Sequence, residues 1–213
     1  MPRTTASKRR LRTPAQRRRE QERQFKPLAI ELGWIAYEWN RLHEALGELF
    51  ADAMGADTYT ALSAWHAVRS DLTQRHMLKA AAAHRAERSP PENTPLWLAL
   101  VDLVDAVNKL SDRRNNAIHA PLVFVTDIDG SAVEVRPLDF LGNEKAGKLA
   151  NRDLLTEFQW YRRSGAVVAN YANMLHYAFN DPNHQLPPKP ILPTLGQKQG
   201  SNPSPRRTKQ KKP

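Results

Sequence analysis

The chain has 213 residues, no cysteine and a formal net charge of +10, which leaves room for one domain and excludes disulfides and thiolate metal sites. The basic excess is terminal: residues 1–26 hold ten Lys/Arg against two Glu, residues 181–213 seven against one Asp, and the middle, 27–180, is left at −4. A basic folded nucleic-acid-binding domain is therefore excluded, and only the ends carry that signal.

Residues 1–26 are polar and bury too little apolar surface to offset chain entropy, so a disordered basic tail is predicted there. No apolar core follows the basic start, which argues against a secretory signal. No run of about 18 apolar residues exists for a membrane span, and a cytoplasmic protein is the expectation. From Leu28 the pattern changes. Leu28, Leu32, Ile35, Trp39, Leu42, Leu46 and Leu49 recur at spacings of four and three, a single stripe along a helix that Gly55 stops. Glu31, Glu38 and Arg41 fall off that stripe.

A second helix is predicted from Thr58 to Arg88, with Trp65, Val68 and Leu72 on one seam and Met77, Leu78, Ala81 and Ala82 continuing it, until Ser89-Pro90-Pro91 ends it. Thr94 before Pro95 reads as the N-cap of a third helix, which runs from Leu96 towards Ala120-Pro121. Leu122–Val125 and Ala132–Val135, on either side of Asp129-Gly130, read as a β-hairpin that must lean on the helices. Asn151 can cap a last helix with Leu154, Phe158, Tyr161, Val168, Ala172 and Leu175 as its seam. Residues 181–213 are Pro-rich, polar and predicted disordered. The fold class expected is all-α: an antiparallel bundle of about four main helices with a small β-hairpin insertion.

The third helix holds the feature that ordinary packing does not explain. At about 100° per residue, Leu96, Leu100, Leu103, Val107 and Leu110 lie within roughly 40° of one direction, and Arg114 lies in it too, one turn beyond Leu110. A cation on an apolar seam is paired, snorkels out, or faces an anion arriving from outside. Glu38 and Asp71 are the core carboxylates that would pair it. Asn115 and His119, four apart, are neighbours on the helix surface, with Asp112 on the same face. Arg114 stands about 140° from His119 on an ideal helix, so the two converge only if the helix loosens near Ala120-Pro121 or a second copy supplies the partner group. Guanidinium grips phosphate with two prongs, imidazole moves protons near neutrality, and RNA carries its own nucleophile in the 2′-hydroxyl. Arg plus His suffices in principle for metal-free RNA cleavage.

The stretch Leu110-Ser111-Asp112-Arg113-Arg114-Asn115-Asn116-Ala117-Ile118-His119-Ala120 resembles the signature of the HEPN superfamily: an arginine, a polar residue after it, and a histidine after four to six intervening positions. Here four residues intervene, with Asn115 in the polar slot. The resemblance also covers the layout of residues 27–180, a long amphipathic first helix and the motif near the end of a later one. It implies a small helical domain of prokaryotic defence or toxin–antitoxin systems, a metal-independent endoribonuclease without cofactors, and a homodimer with both motifs facing one cleft. A cognate antitoxin or other protein partner is implied as well. Carried over by position, Arg114 would bind the scissile phosphate, His119 would be the acid/base group and Asn115 would support them. Arg113 is the alternative phosphate ligand. The family also includes members that bind RNA or proteins without cleaving, the other class of function open here.

Outside the motif, the basic tail residues Arg9, Arg10, Arg17, Arg18 and Arg19 are candidates for salt-dependent contact with a nucleic-acid backbone. Arg69 and Arg75 read as a solvated helix face. Among the remaining histidines, His43, His66, His76, His84, His176 and His184, none has a ligand partner at i, i+4, so no metal site is expected. The five tryptophans read as core or interface residues.

Overall fold

The first helix outruns its apolar stripe. The computed structural model describes residues 13–127, 133–138, 142–181 and 185–195, and in it α1 spans Pro14–Met54. Residues 14–26, expected as disordered tail, are helical. The reason is local: Thr13 caps the helix by accepting from the Gln16 N–H at 3.3 Å, the Gln16 side chain accepts from the Thr13 N–H at 2.9 Å, and Pro14 takes the first position. Ion pairs Arg18–Glu22 and Arg23–Glu20 brace the following turns. Pro27 is accommodated inside the helix. Gly55 ends it in the left-handed conformation (φ 61°), where a glycine has no Cβ to clash.

The stripe on α1 is buried as its spacing requires, Leu32 only partly. Glu31 and Glu38, expected off it, are buried too, because α6 (Leu154–Asn180) packs along that flank. Arg162 of α6 lies 3.4 Å from Glu31, and Arg41 holds Glu38 at 2.7 Å while donating to Asn170 of α6 at 3.1 Å. These pairs advance together along both helices, so α1 and α6 run in the same direction.

The second predicted helix is two helices. α2 (Thr58–Ala67) returns along α1 and α3 (Asp71–Arg88) reverses again, with Val68 extended between them. Ser70 caps α3 by accepting from Thr73 N–H, and Asp71 opens its first turn. Trp65 belongs to the core as read, while Leu72, assigned to the same seam, is exposed. α4 (Thr94–His119) runs antiparallel to α3, with Lys79 on Asp105 and Arg75 on Ser111. Its N-cap is Asn93, one residue before the Thr94 expected.

Strands β1 (Leu122–Thr126) and β2 (Val133–Pro137) pair antiparallel, Phe124 opposite Val135. The hairpin leans on the N-terminal half of α1, where the Phe25 and Phe124 rings meet edge to face at 6.1 Å. The Asp129-Gly130 turn lies outside the described residues. A short helix not foreseen, α5 (Glu144–Leu149), follows, and α6 is capped by Asp153 rather than Asn151, which instead adopts φ 62°. Its predicted seam is buried throughout.

Residues 185–195, expected to be disordered, lie along the bundle without regular structure. Pro187 is buried, Leu192 and Leu195 pack on the core, the Trp160 indole donates to the Pro193 carbonyl at 2.6 Å, and Lys189 meets Asp102 at 2.9 Å. The protein is thus an all-α bundle of α1, α3, α4 and α6 with a small β insertion. No helix among the described residues is long and apolar enough to cross a membrane.

Candidate functional site

α4 delivers the motif. Leu96, Leu100, Leu103, Val107 and Leu110 are all buried, and Arg114 follows them at the end of that face, half-buried. Its guanidinium sits 5.2 Å from the centre of the Trp39 ring on α1, and its Nη1 donates to the Asn115 Oδ1 at 2.9 Å. The Nε is buried with no hydrogen-bond partner among the described residues. Burial holds the Arg114 pKa below its ordinary value; Asp71 counters this and the neighbouring Arg75 adds to it.

The two carboxylates that would neutralise Arg114 are engaged elsewhere. Glu38 pairs with Arg41, and Asp71 pairs with Arg75 while accepting from the Trp39 indole at 3.3 Å. Among the described residues Arg114 has no ion pair. Arg75, read as part of a solvated face, is in fact buried: its Nε donates to Asn108 at 2.7 Å, its Nη2 to Ser111 at 3.2 Å, and it lies 5.8 Å from the Trp39 ring centre. Trp39 thus carries two guanidiniums, one satisfied and one not. The meeting of Trp39, Arg75, Asn108 and Ser111 is not legible in the sequence because it depends on three helices; the Asp71/Arg75 spacing of four is the available hint.

His119 is exposed and makes no hydrogen bond to a described residue. α4 stays helical through it, with the Ala120 N–H donating to the Asn116 carbonyl at 3.1 Å. The loosening that would swing His119 towards Arg114 does not occur, and within one chain their directions stay about 140° apart. Asn115 turns its carbonyl oxygen to Arg114. Arg113 is exposed and leans the other way, 4.8 Å over the Trp160 ring of α6. The structure therefore unites Arg114 with Asn115 and turns Arg114 away from both His119 and Arg113, while Asn115 and His119 stay neighbours four apart on the unbroken helix.

Arg17, Arg18 and Arg19 are exposed on the first turns of α1 instead of a tail, and Arg18 is engaged by Glu22. Arg9 and Arg10 lie outside the described residues. One grouping of possible metal ligands was not visible in the i, i+4 spacings: His43, Glu44 and His66 come together where α2 folds back on α1, a pairing across 23 positions that no short motif reveals. An apolar cavity of about 440 Å³ opens away from the motif, between α4, α6 and residues 186–192, with Leu98, Leu103, Val168 and Tyr171 in its wall.

Compared with models of known protein families, with curated proteins and with solved structures, the chain matches none.

Proposed function

We propose that the chain is a metal-independent endoribonuclease of the HEPN kind, acting as a homodimer in which Arg114 of one protomer and His119 of the partner subunit address the same phosphate. The observation that carries this reading is Arg114 itself. A guanidinium at the end of an apolar face, stacked on Trp39, with a buried Nε and no hydrogen-bond partner for it or carboxylate of its own among the described residues, is a charge prepared for an anion from outside. Partial burial strengthens it, since a charge in a poorly solvated place acts on phosphate more than it would in water.

The chemistry follows from the groups. The 2′-hydroxyl loses its proton as its oxygen attacks phosphorus. The bond from phosphorus to the 5′-oxygen breaks, leaving a 2′,3′-cyclic phosphate and a 5′-hydroxyl. Arg114 stabilises the negative charge that builds on the phosphate oxygens, Asn115 holds one edge of the guanidinium, and the exposed imidazole of His119 takes or supplies the proton. A place in a toxin or defence system, with a protein antitoxin, belongs to the same proposal. One observation favours a second reading, a non-catalytic module for RNA or protein: no described residue orients the His119 ring.

The test is incubation of the full chain with RNA in EDTA. Cleavage to cyclic phosphate ends is expected, and Arg114→Ala should reduce the rate by about 10²–10³-fold, the usual loss when one transition-state donor is removed. Arg114→Lys should not restore it, because an ammonium lacks the planar fork. Intact RNA after prolonged incubation would end the catalytic reading; RNA retained equally by parent and Arg114→Ala would leave the binding module.

A further inference from the structure

α2 packs tightly onto α1 at Gly47, where a Cβ would stand 2.9 Å from the Leu62 Cδ2 and 3.2 Å from the Trp65 ring, so a side chain there would force both to shift. That close approach carries His66, in the last turn of α2, to His43 and Glu44 on α1. One ligand atom from each of the three lies within 4.8 Å of the others, and the His66 Nε2 is 3.6 Å from a Glu44 oxygen.

His43 is the prepared member. Its Nε2 is 2.7 Å from the Gln74 Oε1, and Gln74, itself buried, is fixed by donating its amide to the Trp65 carbonyl at 2.7 Å. The amide nitrogen is thereby used, so an oxygen faces His43, a contact that the tautomer with its proton on Nε2 satisfies. The Nδ1 keeps its lone pair. Metal-binding histidines are set up in this way, one ring nitrogen donating to an oxygen behind it while the other is held ready. The Trp65 ring, 5.4 Å from the imidazole, restrains it further.

We infer that His43, Glu44 and His66 bind one divalent transition-metal ion, of the zinc class, that clamps α2 to α1. Two imidazoles and a carboxylate are the donor set such ions take. Two donors each about 2.1 Å from one ion at the tetrahedral angle stand about 3.4 Å apart, so the His66–Glu44 separation already fits and the exposed Glu44 side chain closes the rest by rotation. Three protein donors leave a fourth position for water. The ion takes no part in the RNA chemistry proposed above, and the inference stands or falls independently of it.

Titration of the untagged full chain with Zn²⁺ by calorimetry, with thermal melting alongside, decides the matter. One ion per chain and a raised melting temperature in Zn²⁺ are expected. His66→Ala, at an exposed position, should weaken binding at least about tenfold and remove the rise, and Glu44→Ala should weaken it in the same direction. His76→Ala, an exposed histidine outside the cluster, should bind as the parent does. No saturable binding, as for a plain His66–Glu44 ion pair, or binding undiminished in His66→Ala, would overturn the assignment.

Discussion

Replacing His119 with alanine is expected to slow RNA cleavage by about 10²–10⁴-fold, the range over which a positioned acid/base group acts, while leaving the unfolding transition in place. The pairing of those two results is what makes the experiment informative. His119 is exposed, ends α4 and makes no hydrogen bond to a described residue, so its side chain contributes little to the folded state. An effect on rate alone therefore belongs to chemistry or substrate contact. Cleavage at the parental rate by His119→Ala would remove the acid/base role.

Arg75→Met is expected to be the most damaging change to stability near the site. Arg75 is 2 % exposed, and its guanidinium satisfies Asp71, Asn108 and Ser111 together. Methionine keeps much of the volume yet removes the guanidinium from all three, leaving Asp71 only the Trp39 indole. Removing one partner of a buried pair costs about 3–5 kcal/mol; the Asp71 side chain is 36 % exposed and water covers part of it, so about 3 kcal/mol is expected here. A lowered urea midpoint with an unchanged slope is the readout. Arg75 also keeps Asp71 occupied. Without it, Asp71 becomes the available counter-ion for Arg114, and cleavage should fall as well as stability. An unmoved midpoint would show that the buried network contributes nothing.

What the sequence made legible was whatever depends on near neighbours. The α4 seam, the α6 seam and the Gly55 stop follow from spacing and backbone chemistry, and all are in place. The start of α1 was legible too, in Thr13-Pro14-Ala15-Gln16, although the basic composition of residues 1–26 outweighed that capping signal. Likewise Ser70-Asp71 announced a helix start inside what Trp65, Val68 and Leu72 suggested was one continuous helix. Burial of Glu31 and Glu38 could not be read, because it depends on α6 packing on α1 more than 120 residues later. The packed segment 185–195 has no periodicity to reveal it: Pro193 is held there by one indole hydrogen bond. At the site, Arg114 was found because it violates the seam, whereas Arg75 was missed because its three polar partners come from two helices.

In the proposed mechanism Arg114 and His119 act on one phosphate from two different chains, since a helix unbroken through His119 keeps them apart within one. Mixing Arg114→Ala with His119→Ala after joint unfolding and refolding tests it. Random pairing makes half the dimers mixed, each with one of two composite sites complete, so about a quarter of the parental cleavage rate should return. A mixture as inactive as either variant alone, under conditions where the parent cleaves and the variants dimerise, would contradict the account.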